Sequence, residues 1–273
     1  WLEYARTVSS LSLGDSPLIQ EIWLGSLPIQ NGCLSNLKSL TVDGCKFLSD
    51  VVLPFFLLSF LTNLEQLQVR NCRSVKSIFD VKREITTMGL GAATFPLPFS
   101  LKNLTLEWLP KLENVWNEDP HGILSMQPLE EVSVYNCECL LYLFTSSTAK
   151  SLTRLTRMDI SKCDTIEDVV SKEGDESHEN EIIFPQLNCL KLKKLRKLRS
   201  FYRGSLLSLP SLEELSVIDC DWMETLCPGT LKADKLLQVQ LKEWCDFKLR
   251  KRSDAIKLEN DLNSTMRQSF LEK

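Results

Sequence analysis

An aliphatic residue is followed three places later by a second, and two places after that by a third, at nine points along this chain. The triads are Val8/Leu11/Leu13, Leu37/Leu40/Val42, Leu64/Leu67/Val69, Leu101/Leu104/Leu106, Leu129/Val132/Val134, Leu155/Met158/Ile160, Leu187/Leu190/Leu192, Leu212/Leu215/Val217 and Leu236/Val239/Leu241. The last two members of each triad sit two apart, the period of a strand with one buried face. Their starts are 29, 27, 37, 28, 26, 32, 25 and 24 residues apart. Repetition at this spacing predicts stacked units, each giving one short strand to a shared parallel sheet.

The second half of each unit repeats too. Five copies carry a cysteine three residues past the third aliphatic, with apolar residues three and six places further on: Cys45/Leu48/Val51, Cys72/Val75/Ile78, Cys137/Leu140/Leu143, Cys163/Ile166/Val169 and Cys220/Met223/Leu226. In a second flavour proline follows the strand and tryptophan closes the turn, from Pro17 to Trp23 and from Pro110 to Trp116. A period of two giving way to one of three or four predicts a strand that turns into a short helical or 3₁₀ return arm. The expected fold is an α/β solenoid of the leucine-rich-repeat type. It is a horseshoe with a curved parallel sheet on the concave side and short helices, 3₁₀ turns and loops on the convex side. One unit buries too little apolar surface to offset its own ordering, so units must stack and the ends need polar caps. About nine repeats fill residues 1–247, leaving 248–273 as a capping helix or tail. Within that tail Ile256, Leu258, Leu262, Met266 and Phe270 mark one apolar helical face.

Charge and composition narrow the partners. A net charge of −4 gives no general attraction to nucleic acid, which needs a clustered positive field. The chain has ten cysteines, but five occupy one repeated position, where a small buried thiol replaces the asparagine usual at that turn. That usage predicts structural thiols in a reducing compartment and a cytoplasmic location. The apolar run from Val51 to Leu61 contains Pro54 and is too short to span a bilayer, so no membrane span is expected. Two glycosylation sequons, at Asn103 and Asn263, carry no weight, and Asn103 falls on a predicted strand. A start at Trp1 without methionine reads as part of a longer chain.

Two insertions interrupt the spacing, Val81 to Thr94 and the acidic stretch Lys172 to Glu181, and both are expected to bulge from the return side as loops. No phosphate loop, nucleophile elbow, H-E-x-x-H or C-x-x-C pair occurs, and the histidines are His121 and His178 alone. Cys137-x-Cys139 shares its first member with the repeat cysteine and has no second pair. The segment is therefore read as non-enzymatic, with no catalytic, metal or cofactor site of its own.

Recognition is the remaining chemistry. With the aliphatics pointing inward, the residues that alternate with them face the concave side. On successive strands these include Asp43, Gln68 and Arg70, Asn103 and Glu107, Glu131 and Tyr135, Arg157 and Asp159, Cys189, Lys191 and Lys193, Ser216 and Ile218, and Lys242. Arg70, Glu107, Tyr135, Arg157, Asp159, Lys191, Lys193 and Lys242 are the candidate partner-binding residues, with Tyr135 and Arg157 as anchors, since aromatic and arginine side chains carry much interface energy. Nine strands about 4.8 Å apart make an arc of roughly 40 Å, room for a partner face of about 800 Å². The run Lys191, Lys193, Lys194, Arg196, Lys197 and Arg199 reads either as a solvated face or as a docking patch for an acidic surface. Trp108, Trp116 and Trp222 read as packing or edge residues of the turns.

The phrases Leu64-Glu-Gln-Leu-Gln-Val-Arg-Asn-Cys72, Phe184-Pro-Gln-Leu-Asn-Cys-Leu-Lys-Leu192 and Leu209-Pro-Ser-Leu-Glu-Glu-Leu-Ser-Val-Ile-Asp-Cys220 resemble the leucine-rich repeats of plant intracellular disease-resistance receptors, the coiled-coil nucleotide-binding (NLR) class. The stretch Asn260 to Phe270 is similar to the tail that follows the last repeat there. The resemblance implies a module that recognises a pathogen effector or a guarded host protein and holds an adjoining nucleotide-binding switch domain in its ADP-bound off state. ADP or ATP would be held only by such an upstream module, since this chain lacks a phosphate loop. A substrate-binding array of an F-box-type ubiquitin ligase adaptor is the alternative, with Cys163-x-x-Ile166-x-Asp168 similar to its turn. That class keeps a more regular spacing. The G-x-I-P turn of plant extracellular repeats is missing, which disfavours a secreted receptor ectodomain.

Overall fold

The computed structural model describes residues 7–14, 20–21, 23, 34–81, 97, 99–120, 122–171, 181–242 and 245–248. Nine of the predicted segments form nine parallel strands of one sheet: Ser10–Leu13, Ser39–Asp43, Gln66–Arg70, Asn103–Glu107, Glu131–Tyr135, Arg157–Ser161, Cys189–Lys193, Glu214–Ile218 and Gln238–Lys242. Each pairs with the strand of the next turn, and the triads set the register. Leu40 lies opposite Leu67, Leu67 opposite Leu104, and Leu190 between Met158 and Leu215. The second and fourth residues of the strands from Ser39–Asp43 to Glu214–Ile218 are buried, as the period of two predicts. The fold is the leucine-rich-repeat solenoid read from the sequence.

Every strand from the second to the eighth ends in the same way. The residue after it adopts a left-handed backbone: Gly44, Asn71, Trp108, Asn136, Lys162, Lys194 and Asp219, with φ between 53° and 65°. That turn aims the residue's N–H along the sheet, so Gly44 donates to the carbonyl of Arg70, Asn71 to Glu107, Trp108 to Tyr135, Asn136 to Ser161, Lys162 to Lys193 and Lys194 to Ile218, at 2.8–3.1 Å. The ladder gains one hydrogen bond per turn, and the chain is bent toward the return arm. Glycine and asparagine accept this conformation readily, whereas a lysine strains against its own Cβ. Lys194→Gly is therefore expected to raise stability by about 0.5–1 kcal/mol. Urea unfolding checks it, and a lower midpoint for the variant would contradict the strain assigned to this corner.

The cysteine position follows the corner. Cys45, Cys72, Cys137, Cys163 and Cys220 are buried thiols that form no disulfide among the described residues. Their Sγ atoms donate back to the carbonyls of Asp43, Arg70, Tyr135, Ser161 and Ile218, at 3.3–3.8 Å. Cys45, Cys137 and Cys220 also reach the preceding turn, at the carbonyls of Leu13, Leu106 and Leu192. The thiol thus satisfies strand-end carbonyls while remaining fully buried. The Cys163 thiol beside it, together with burial, pushes that of Cys137 up, so it stays protonated and a donor.

The return arms differ from expectation. Among the described residues they include the short helices Phe55–Leu58 and Ser146–Ser151, but most run as brief strands that pair from turn to turn in three small parallel sheets. One joins Val51–Leu53, Ser77–Phe79 and Asn114–Trp116, the second Phe144–Thr145, Asp168–Ser171 and Ser200–Tyr202, the third Glu181–Ile183, Leu206–Ser208 and Thr230–Lys232. The reason is local composition. Segments such as Ser-Ile-Phe, Asn-Val-Trp and Ser-Phe-Tyr are β-branched and aromatic, and each finds a neighbour of the same kind one turn away. Aromatic side chains stack there across turns: Phe79 on Trp116 at 5.8 Å and 17°, and Trp116 on Phe144 at 5.8 Å.

Past the last parallel strand, Cys245–Lys248 turns back antiparallel along Gln238–Lys242. Reversal ends the parallel ladder with a hairpin. The helix expected over Ser253–Lys273 lies outside the described residues, as do 82–94 of the first insertion, 172–180 of the acidic one, and both histidines.

Candidate protein-recognition face

The concave face is laid out in columns, because in-register parallel strands stack equivalent positions. The first column runs Asn103, Glu131, Arg157, Cys189, Glu214; the second Thr105, Ser133, Asp159, Lys191, Ser216; the third Asp43, Arg70, Glu107, Tyr135, Ser161, Lys193, Ile218. Seven of the eight predicted residues have described side chains and stand in these columns. Lys242 lies on the last parallel strand.

The columns split the eight into separate environments. Near the amino-terminal end Arg70 is engaged within the array, its Nε 3.0 Å from Asp43 Oδ2, while Asn71 Nδ2 donates to the other oxygen of the same carboxylate at 2.8 Å. At mid-array Arg157 and Asp159 line a shallow depression of about 230 Å³ with Thr105, Glu131, Ser133 and Lys191. Arg157 reaches Glu131 only at 4.0 Å, so its guanidinium is held loosely. Asp159 accepts from Ser161 Oγ at 2.9 Å, which fixes its carboxylate beside Lys191 in the next strand. Lys191, Lys193 and Lys194 make no ion pair among the described residues.

Three positions expected to face outward are buried: Cys189, Ser216 and Ile218, at 4–6% exposure. Cys189 sits between the larger side chains of Arg157 and Glu214 in its column and donates to Glu214 Oε2 at 3.6 Å. Burial first, then the Glu214 carboxylate, push its thiol up, while Lys191 and Arg157 pull it down. Ser216 donates to Gln240 Oε1 at 3.2 Å. The carboxy-terminal part of the face is therefore drier than alternation alone implies.

The basic run divides between surfaces. Lys191 and Lys193 are on the concave columns, Lys194 is at the left-handed corner, and Arg196 and Arg199 belong to the return turn. Arg196 lies 3.8 Å from Asp164, and the Arg199 guanidinium lies over the Trp222 ring. The tryptophans divide as well. Trp116 is buried in the return-arm stack, as a packing residue should be, whereas Trp108 and Trp222 are about half exposed, at 48% and 54%. Trp108 meets Tyr135 edge to face at 5.4 Å, and the Tyr135 hydroxyl accepts from Lys162 Nζ at 2.7 Å. Neither Trp108 nor Lys162 is reachable by strict alternation. Both stand at the left-handed corner, and the signal for it was the glycine and asparagine at Gly44, Asn71 and Asn136.

A repeated scaffold with a continuous polar and charged inner face defines a leucine-rich-repeat interaction module. The profile of plant disease resistance protein RPS2-like leucine-rich repeats matches residues 7–164 and 152–243, and the chain belongs to that family. Among solved structures it is similar to the leucine-rich repeat domain of the type III effector XopL, with 17% identity over 89% of this chain and 79% of the other, at a TM-score of 0.47. No curated protein sequence matches it. Among the described residues no helix is long and apolar enough to cross a membrane.

Proposed function

We propose that this array is the recognition and autoinhibition module of a plant immune receptor acting in the cytoplasm. It binds a pathogen effector or a guarded host protein through its concave face and, through the basic run from Lys191 to Arg199, restrains an adjoining nucleotide-binding switch domain. It needs no cofactor of its own. The observation that carries this reading is the mid-array depression, where Arg157, Asp159 and Lys191 stand on two neighbouring paired strands with charge not fully engaged within the array. Membership of the disease-resistance family supports it. Preorganised side chains on strands bind with little ordering cost, so such a face suits a partner of about 800 Å².

Replacing Arg157, Asp159 and Lys191 together by alanine tests the reading in the full-length gene product expressed in leaf tissue. The expected result is a lost response to the eliciting pathogen, or cell death without one, at unchanged protein level and thermal midpoint. A wild-type response in both respects would overturn it.

A further inference from the structure

The left-handed corner concentrates features that core packing does not require. Trp108 holds φ 56°, a conformation costly for a bulky residue, and is still 48% exposed. That backbone angle is common to all seven corners, whereas the exposed indole is the kind of side chain that carries interface energy. The next turn supplies Tyr135, whose edge meets the indole. The turn after supplies Lys162, and its ammonium, 4.9 Å from the ring centroid and 2.7 Å from the hydroxyl, is bound through the hydroxyl rather than over the ring face. One turn further stand Lys193 and Lys194, without ion-pair partners among the described residues. Backbone hydrogen bonds tie these turns in order, Trp108 to Tyr135 and Lys162 to Lys193. The feature is therefore one contiguous strip, apolar at the Trp108 end and cationic at the Lys194 end, bounded by Glu107 and Asp219.

Three inter-strand steps of about 4.8 Å make this strip roughly 14 Å long, the reach of about four extended residues. Three ammonium groups at one end call for carboxylates, and an exposed indole with a phenol edge calls for an aromatic or aliphatic side chain. We propose that Trp108, Tyr135, Lys162, Lys193 and Lys194 form a docking site for a short acidic segment of a protein partner, one that lays an apolar side chain on Trp108 and its carboxylates on the lysines. This deepens the recognition reading above and rests on it, while placing the contact at the corner rather than in the mid-array depression.

The test uses the 273-residue chain and a short fluorescein-labelled peptide of glutamates around one phenylalanine, read by anisotropy. A peptide with lysines for glutamates serves as control. Trp108→Gly keeps a residue suited to the corner, as Gly44 is, and Lys193→Glu with Lys194→Glu reverses charge at a half-buried and an exposed position outside the core, so both variants should fold. The expected result is binding of the acidic peptide only, weakened by salt and weakened about tenfold by either variant. No binding of the acidic peptide at millimolar concentration, equal binding of the basic one, or unchanged affinity in both variants would overturn the proposal. Equally tight binding of poly(U) RNA or phosphatidylserine vesicles would overturn it also, by showing a site for polyanions in general. The triple-alanine experiment fails or succeeds independently, because none of its three positions belongs to this strip.

Discussion

Leu190→Asp is expected to unfold the array, whereas Gln68→Ala leaves it unchanged. Leu190 is wholly buried, in register between Met158 and Leu215, so a carboxylate there would meet aliphatic side chains from both neighbouring turns and no donor of its own. A buried, unpaired charge is tolerated only by protonation or by local opening, and either costs several kcal/mol. In a one-dimensional stack the loss falls on two interfaces at once, because each turn is stabilised by the turns on either side. Total stability of a folded chain is about 5–15 kcal/mol, so one such substitution consumes most of it. Leu67→Asp, at the equivalent place four turns earlier, should behave alike. Gln68 stands on the other face of its strand, half-exposed, and its truncation should move the midpoint by less than about 0.5 kcal/mol. Urea unfolding followed by circular dichroism checks all three. Equal midpoints would refute the assignment of inner and outer faces.

That assignment is where sequence reasoning was strongest, for a physical reason. A strand buried on one face writes a period of two, and nine copies in register reinforce one another, so Leu40, Leu67, Leu104 and their equivalents identified themselves. The repeated cysteine was legible on the same ground, because one small thiol at one position five times requires a common environment. The corner was not legible. Seven residues of five types occupy it, and what unites them is a backbone angle that only Gly44, Asn71, Asn136 and Asp219 hint at. Alternation says nothing of Trp108, because it stops at the strand end, where the left-handed turn resets the parity. The return arms were misread for a different reason: three residues are too few to separate a period of two from one of three. Pairing across turns decided the matter, and that is a tertiary effect. Burial of Ser216 and Ile218 is likewise set by the turns around them and not by their own strand.

The return side also carries the second large effect. Trp116 lies 4% exposed between Phe79 of the preceding turn and Phe144 of the following one, and Phe79 in turn meets Phe99 edge to face at 5.6 Å. These rings bind three successive turns where the repeat spacing is longest, 37 residues, so the joint has more chain to order than any other. The first insertion leaves the array at the same place: Val81 N–H donates to Asn117 Oδ1 at 2.9 Å, and Asn117 Nδ2 donates to Asp80, one residue past the Trp116 strand. Trp116→Ala should cost about 3–5 kcal/mol, the transfer of a large ring plus the cavity it leaves. Trp116→Phe keeps a stacked ring and should cost less than half of that. Because stability in a solenoid is a sum of neighbour terms, the alanine variant should also separate the chain into two unequal blocks. Amides of Ser39–Asp43 and Gln66–Arg70 are expected to lose hydrogen-exchange protection before those of Cys189–Lys193 and Glu214–Ile218, which stack in the longer block. Uniform loss of protection along the sheet would show instead that the ten-stranded ladder, not the aromatic joint, sets the cooperativity of the array.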